Sequence, residues 1–152
     1  MGATKLHTPS LQTLDLLEVD ALVISLTTDD RPLSGLAGFL DWRLCGEISQ
    51  FLLNEQFTGA LGEKIMSITG GRIPAQRLFY VGWGAQKDIE KNAATCLPLM
   101  TTILLEAKVE SCAIHLPEPV TPILERAEAE LSKSLGPRLR GIFRSEGPSA
   151  SH

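Results

Sequence analysis

The chain has 152 residues, 43% hydrophobic content and a formal net charge of −4, which suits one ordinary globular domain and is too little for two. The negative charge argues against a general attraction to nucleic acid. No apolar run approaches the roughly 20 residues that span a bilayer, and the first residues contain no apolar signal core. We therefore expect a cytoplasmic protein without a membrane span.

In chain order, residues 1–10 are expected to form an N-terminal extension and residues 11–17 a short first strand. Residues 20–27, with the continuous apolar run ALVISL, predict a strand that is covered on both faces. A helix is expected to follow a Ser34 cap, because apolar residues recur after it at helical spacing. After Gly46, the stretch EISQFLLNEQF predicts a further helix.

The middle of the chain continues the alternation of strands and helices. Residues 63–69 alternate in hydropathy and predict a third strand, and residues 77–84 predict a fourth strand that ends in glycines. An apolar stripe predicts a long helix over residues 88–107, which Pro98 is expected to kink or split. Residues 111–116 predict a fifth strand.

The last helix is expected to begin at a Thr121 cap with Pro122 in its first turn, and to end at Gly136. Residues 138–144 predict a sixth strand, and the polar residues 145–152 predict a disordered tail. The buried stripe of the helix is expected to comprise Leu124, Ala127, Leu131 and Leu135.

The alternation of strands and helices predicts the fold class. Residues 11–144 are expected to form one α/β domain. Its architecture is predicted to be a three-layer αβα sandwich, in which helices cover both faces of a central mixed, largely parallel sheet of about six strands.

The turn after the second strand is one candidate site, and the end of the fourth strand is another. In open α/β sheets ligands lie beyond the carboxyl ends of the strands, and free N–H groups at a helix start attract anions. The ligand-binding candidates at this edge are Arg31, Ser34, Gly35, Gly82 and Gly84. The alternative interpretation is architectural: Leu33, Leu36 and Trp42 would simply anchor the helix to the sheet.

The remaining polar residues of this region have structural interpretations. Asp29 and Asp30 are expected to stabilise the turn by accepting local backbone N–H groups. Asp41 is expected to pair with Arg31 or Arg43 on the surface.

Residues that carry catalysis are scarce in this sequence. His115, at the end of a buried strand, is interpreted as a hydrogen-bonded structural histidine. Cys45, Cys96 and Cys112 follow no metal-ligand or disulfide spacing, and the latter two are expected in the core. There is no HExxH, GxSxG or Walker-type loop, so we predict no catalytic residue, metal ligand or cofactor. The stretch RLRGIFR is either a phosphate-binding strip or a charged outer face.

Several segments together resemble a known family. DALVISLTTDDRPLSGLAGFLDWRLCGEIS, then FTGALGEKIMSIT and IPAQRLFYVGWG, are similar in order and spacing to the N-terminal domain of the M17 leucyl (cytosol) aminopeptidases. The aminopeptidase chemistry of that family belongs to a separate C-terminal domain, where lysine, aspartate and glutamate side chains hold two metal ions. The stretches typical of that domain, DSGG and NTDAEGR, do not occur here, so the resemblance implies a stand-alone module without catalysis.

The resemblance also implies a macro-domain-like fold, and macro domains bind ADP-ribose. In this sequence Thr27, Thr28 and Asp29 replace the asparagines of the macro loop, and only Gly35 and Gly38 remain of its glycine run. Small-molecule or nucleotide binding is therefore the alternative, and an architectural turn is favoured. Members of the family form hexamers, so the leading hypothesis is a homo-oligomer or a module that associates with a protein partner in assembly or regulation.

Overall fold

The computed structural model describes residues 5–7, 9–31, 33–117 and 123–144, with side chains from residue 9 onwards. The predicted cap at Thr121 and Pro122 and the predicted tail over 145–152 lie outside these residues. The strands are β1 (Lys5–His7), β2 (Ala21–Leu26), β3 (Lys64–Ile68), β4 (Arg77–Gly82), β5 (Cys112–Leu116) and β6 (Leu139–Arg144). The helices are α1 (Leu11–Leu16), α2 (Gly35–Arg43), α3 (Glu47–Leu53), α4 (Ile89–Glu106) and α5 (Leu124–Leu135).

The strands form one mixed sheet in the order β1-β6-β5-β2-β4-β3. Every neighbouring pair is parallel except β3 and β4, which are antiparallel. Strand β1 has only three residues, so five strands make up most of the sheet. The predicted α/β class and largely parallel sheet are confirmed.

Two apolar clusters cover the two faces of the sheet. Helices α4 and α5 pack on one face, where Ala21 and Val23 of β2 point. Helices α1 to α3 pack on the other face, where Leu22 and Ile24 point. Because both faces of β2 are buried, its sequence is a continuous apolar run instead of an alternating one.

The predicted strand over residues 11–17 is wrong, because this segment begins with helix α1. Ser10 is its N-cap, and the Ser10 hydroxyl accepts a hydrogen bond from the Thr13 amide at 2.9 Å. Leu14 is buried while Leu16 is 70% exposed, which fits one helical turn on the surface. The first strand is instead Lys5–His7, inside the segment expected to be an extension, and it pairs with β6.

Two expectations about helix α2 are also wrong. Trp42 is 73% exposed and does not anchor the helix to the sheet; Leu36 and Leu40 do, with no exposed surface. Asp41 pairs with neither arginine. Its carboxylate accepts hydrogen bonds from the amides of Ile48 at 2.8 Å and Ser49 at 3.1 Å, so it caps α3.

Arg43 instead forms an ion pair with Asp15 of α1, with 2.6 Å between Nη2 and Oδ2. The hydrogen bond to the guanidinium lowers the pKa of Asp15. Both side chains are substantially exposed, so this pair aligns α1 and α2 without adding much stability.

The later elements agree with the prediction except at two residues. Helix α4 runs without a break through Pro98, which lies on its exposed face, so the predicted split at the proline is wrong. Helix α5 buries Ala127, Leu131 and Leu135 and ends at Gly136, but Leu124, predicted in the same stripe, lies at the first turn and is only half-buried. Cys96 and Cys112 are buried in the core, and burial raises the pKa of each thiol to about 12.

Candidate functional site

The carboxyl ends of β2 and β4 meet at the edge where the sequence predicts a ligand site. The loop over residues 27–31 follows β2, and residues 83–86 follow β4. The two loops are joined by backbone hydrogen bonds: the Trp83 amide donates to the Leu26 carbonyl at 2.9 Å, and the Thr28 amide donates to the Gly84 carbonyl at 3.0 Å.

All five backbone amides of residues 27–31 donate hydrogen bonds within the chain. Their acceptors are, in order, the Asp30 carboxylate, the Gly84 carbonyl, the Thr27 hydroxyl, the Thr27 carbonyl and the Asp29 carbonyl. The Asp29 carboxylate accepts a further bond from the Gln86 amide. The prediction that a carboxylate accepts a local amide in this turn is confirmed for Asp30, whereas the Asp29 carboxylate accepts from the other loop and ties the two loops together.

The candidate glycine Gly82 lies against the chain's own backbone, and Gly84 lies against the Asn92 side chain and Leu61. A Cβ atom on Gly82 would stand 2.0 Å from the Ala60 carbonyl oxygen and 2.8 Å from the Gly59 carbonyl carbon. Gly84 has a φ of +81°, and its amide donates to the Gly59 carbonyl at 2.8 Å. The group that approaches these two glycines closely is therefore the loop over residues 58–62.

Glu63 holds this loop, a role that the sequence analysis missed. Its Oε1 atom accepts hydrogen bonds from the amides of Thr58 at 2.7 Å, Gly59 at 2.8 Å and Ala60 at 3.2 Å. Burial alone raises the pKa of Glu63, but the hydrogen bonds from these three residues outweigh it and lower the pKa. The sequence signal was a glutamate four residues after a glycine, which is too common to single out.

The other three candidates surround the same edge. Arg31 is exposed, and its guanidinium donates to the carbonyls of Asp30 and Thr58, each at 3.1 Å. Arg31, Gly82 and Gly84 therefore meet around the loop over residues 58–62. Ser34 is the N-cap residue of α2 and makes no side-chain cap bond, and Gly35 begins the helix at a φ of +58°. Ligand binding by these five residues stays a prediction.

A buried polar cluster lies directly under this edge. Trp83 Nε1 donates to Ser25 Oγ at 2.8 Å, and Ser25 Oγ donates to the His115 carbonyl at 2.6 Å. The Ser25 amide donates to His115 Nδ1 at 3.2 Å, so Nδ1 carries no proton. Burial lowers the pKa of His115 to about 4. The prediction that His115 is hydrogen-bonded at the end of a buried strand is confirmed, and its structural role stays a prediction.

Two open grooves lie at the opposite, amino-terminal ends of the strands. One, of about 570 Å³, is lined by the basic residues Lys108, Arg138 and Arg140, together with Glu110. The stretch RLRGIFR thus forms β6 and turns Arg138 and Arg140 towards this groove. The other groove, of about 480 Å³, is acidic and is lined by Glu18, Asp20 and Glu110 among others.

The described residues contain neither a candidate metal centre nor a candidate membrane span. Within residues 9–31, 33–117 and 123–144, no three His, Cys, Asp or Glu side chains are grouped so that they could hold a metal ion. No helix in the same ranges combines the length and the apolar character that crossing a bilayer requires.

Comparison with known proteins identifies the family. Residues 23–133, most of the chain, match the N-terminal domain of the cytosol aminopeptidase family, peptidase M17. The chain belongs to the cytosol aminopeptidase family. It is 29% identical over 111 residues to a probable cytosol aminopeptidase of Alkaliphilus oremlandii, a match that covers 69% of this chain and 22% of that protein. With a protein of the same description from Rippkaea orientalis the identity is 24%, over 64% of this chain and 20% of that protein.

The matched region of the cytosol aminopeptidases is their N-terminal domain alone, and this chain spans about a fifth of the length of these two relatives. Among solved structures, a mutant of tomato leucine aminopeptidase superposes with a TM-score of 0.65 at 15% identity, over 97% of this chain and 34% of that one. The macrodomain of Mycobacterium tuberculosis DarG superposes with a TM-score of 0.68 at 13% identity, over 97% and 100%. These likenesses show that the domain has the macrodomain fold.

The loop that Glu63 holds gives a first prediction for this cytosol aminopeptidase N-terminal domain. We expect Glu63→Ala to lower the free energy of unfolding by about 2 kcal/mol, because three amides lose their acceptor at a partly buried position. Urea unfolding followed by circular dichroism measures this change. Glu63→Gln keeps one side-chain carbonyl as an acceptor, so its free energy of unfolding should fall by about half as much as that of Glu63→Ala. Equal stability of Glu63→Ala and the parent chain would contradict the assignment.

Proposed function

We propose that this domain is a non-catalytic module that acts through contacts with protein, as a unit of assembly or regulation. The observation that supports this proposal is its exposed apolar surface. Among the residues whose side chains the structure describes, four large apolar side chains are at least 70% exposed: Leu16, Trp42, Leu53 and Ile68. Side chains of this size are the usual anchors of protein interfaces, because their burial removes much apolar area from water.

The exposed apolar residues lie on helices α1 to α3 and on the edge strand β3. Leu16 and Trp42 lie on α1 and α2, each next in sequence to a member of the Asp15–Arg43 ion pair that joins these helices, so polar groups flank them as in protein interfaces. Leu53 ends α3 on the same side of the sheet. Met66, which is 51% exposed, and Ile68 lie on the edge strand β3, and their side chains point to the opposite face of the sheet from α3.

The contacts at the predicted ligand edge support a structural role there. An anion such as a diphosphate binds macro-type loops through free backbone amides, and all amides of residues 27–31 already have acceptors within the chain. Asp29 and Asp30 add two carboxylates to the same loop, which disfavours a negative ligand. We infer that Arg31, Ser34, Gly35, Gly82 and Gly84 serve the packing of this edge.

The absence of catalysis is the second part of the proposal. The family match lies in the N-terminal domain, and the described residues offer no grouped ligands for the two metal ions that the resemblance assigns to the catalytic domain. No residue of this chain is therefore assigned a step in peptide hydrolysis.

Two measurements on the purified chain and one in cells test the proposal. Incubation with leucine amide, with and without added Zn²⁺ or Mn²⁺, should give no turnover, and calorimetry with ADP-ribose should give no binding heat. Chemical cross-linking in the native cells, followed by mass spectrometry, should place the chain in a complex with a second protein chain, either another copy or a different protein. Peptide cleavage, or saturable ADP-ribose binding, would overturn it; so would a chain recovered from cells only as a monomer.

A further inference from the structure

We propose that the partner of this domain is a second copy of itself, joined through strand β3. The two sheets would pair edge to edge across a twofold axis and form one continuous sheet. This inference rests on the proposed role in association and names the partner and the surface that it uses.

Strand β3 lies at one edge of the sheet, where β4 is its one neighbour among the strands that the structure describes. Beyond the two ends of this pair, the Gly82 amide donates to the Glu63 carbonyl and the Thr69 amide donates to the Gln76 carbonyl. In an antiparallel pair, residues that face the neighbour with their backbone groups alternate with residues that face away. Odd-numbered residues of β3 therefore bond to β4.

The even-numbered residues of β3, Lys64, Met66 and Ile68, consequently direct their N–H and C=O groups to the open edge. Their side chains are also the exposed ones, because burial alternates along the strand. Ile65 packs against the cluster under α1 to α3, and the Ser67 hydroxyl donates to Glu47 at 2.8 Å. No described strand lies beyond this edge, which combines these outward backbone groups with the exposed apolar side chains of Met66 and Ile68.

The spacing of these groups makes the edge complementary to itself. A twofold axis at Met66 places Met66 opposite Met66 of the partner subunit, and Lys64 opposite the partner subunit's Ile68. Each of the three residues then exchanges two hydrogen bonds with its opposite residue, so the complete edge is paired. The central cross-strand pair is apolar, which is the favourable kind.

The charges on the edge are compatible with this pairing. The two Lys64 side chains stand four residues apart along the joined strands, about 13 Å at roughly 3.3 Å per residue. This separation exceeds the Debye length of about 8 Å at physiological ionic strength, so their repulsion is screened. The opposite edge, β1, has only three residues, and pairing β3 with it would be head-to-tail and would not close.

In a lone monomer, an open edge of this kind would favour aggregation, because it can pair with strands of other chains. Natural sheets protect open edges with charges, prolines or bulges, or cover them. Strand β3, KIMSI, contains one charge at its first residue and no proline. A second copy supplies the cover that this sequence lacks.

Sedimentation equilibrium with matched variants tests the surface. Met66→Lys places two ammonium groups directly opposite each other, and we expect it to raise the dissociation constant of the dimer about tenfold or more. Leu16→Lys changes a more exposed apolar residue on α1 and should leave the dimer unchanged. Circular dichroism confirms that both variants are folded.

Cysteine cross-linking tests the register. In a Cys45→Ser background, which removes the exposed native thiol, Met66→Cys should form a covalent dimer on mild oxidation. Opposite residues of a hydrogen-bonded pair have Cα atoms about 5.5 Å apart, within disulfide reach. Lys64→Cys, whose two copies lie about 13 Å apart, should not cross-link.

The outcomes separate this inference from the proposed function. A dimer that Leu16→Lys disrupts and Met66→Lys does not, equal cross-linking at both positions, or a hetero-complex with no homodimer each overturn the β3 pairing and leave association intact. A folded chain that is monomeric at every concentration and has no partner in cells overturns both.

Discussion

Gly82→Ala is expected to lower the free energy of unfolding by about 4 kcal/mol or more, enough to leave much of the chain unfolded at room temperature. The new methyl carbon would stand 2.0 Å from the Ala60 carbonyl oxygen, far inside van der Waals contact. It would also meet Gly59, and both neighbours are backbone atoms. Neither can rotate away as a flexible side chain would.

The surroundings of Gly82 leave little room for relaxation. Its amide donates to the Glu63 carbonyl at 2.8 Å and its carbonyl accepts from the Gly62 amide at 3.0 Å, so the strand is fixed on both sides of the methyl group. The facing loop is held by the Glu63 carboxylate. Relief of the clash therefore requires that one of these two sets of hydrogen bonds is broken.

Gly70→Ala is the matched control for Gly82→Ala. Gly70 has a φ of +65° and open space where a Cβ would stand, so the substitution meets only the backbone penalty of about 1 kcal/mol. Urea unfolding of both variants compares the two costs. If Gly82→Ala were no less stable than Gly70→Ala, the close packing of the loop over residues 58–62 on β4 would be wrong.

The sequence predicts best the strands whose hydropathy pattern reflects how many of their faces are buried. Strand β2 is a continuous apolar run because helices cover both of its sides, and β3 alternates because only one side is covered. Helix α1 was missed because six residues with a single buried leucine, Leu14, do not establish a helical period. Its better signal was Ser10, a cap residue immediately before it.

The candidate site shows the limit of local patterns. Glycines at the end of β4 do mark a close backbone approach, as the sequence suggested. What approaches Gly82 is a loop more than twenty residues earlier, and no local pattern states which segment will pack there. In the same way, Trp42 was expected to be buried because it is a large aromatic residue, but its position on α2 directs it towards solvent.

The buried histidine makes stability depend on pH above the range in which carboxylates titrate. His115 has a pKa of about 4 in the folded chain, against an ordinary value of 6.5. Between these values the unfolded chain binds a proton that the folded chain does not, so folding stability falls as the pH falls from 6.5 to about 4. The difference between the two pKa values corresponds to a decrease of roughly 3 kcal/mol in the free energy of unfolding over this pH range.

His115→Asn is the variant that isolates this effect. The asparagine side chain would not titrate, and its carbonyl oxygen can stand near the position of the imidazole Nδ1 and accept from the Ser25 amide. We expect the variant to be less stable at neutral pH, because it fills the site less completely, but to lose little further stability between pH 6.5 and about 4. Glu63 contributes below this window, because its lowered pKa means that its stabilisation is lost only as the pH falls below 4.5. Urea unfolding of the parent chain and of His115→Asn at several pH values gives the slope of the free energy of unfolding against pH for each. Equal slopes between pH 6.5 and about 4 would show that His115 is not the group that titrates.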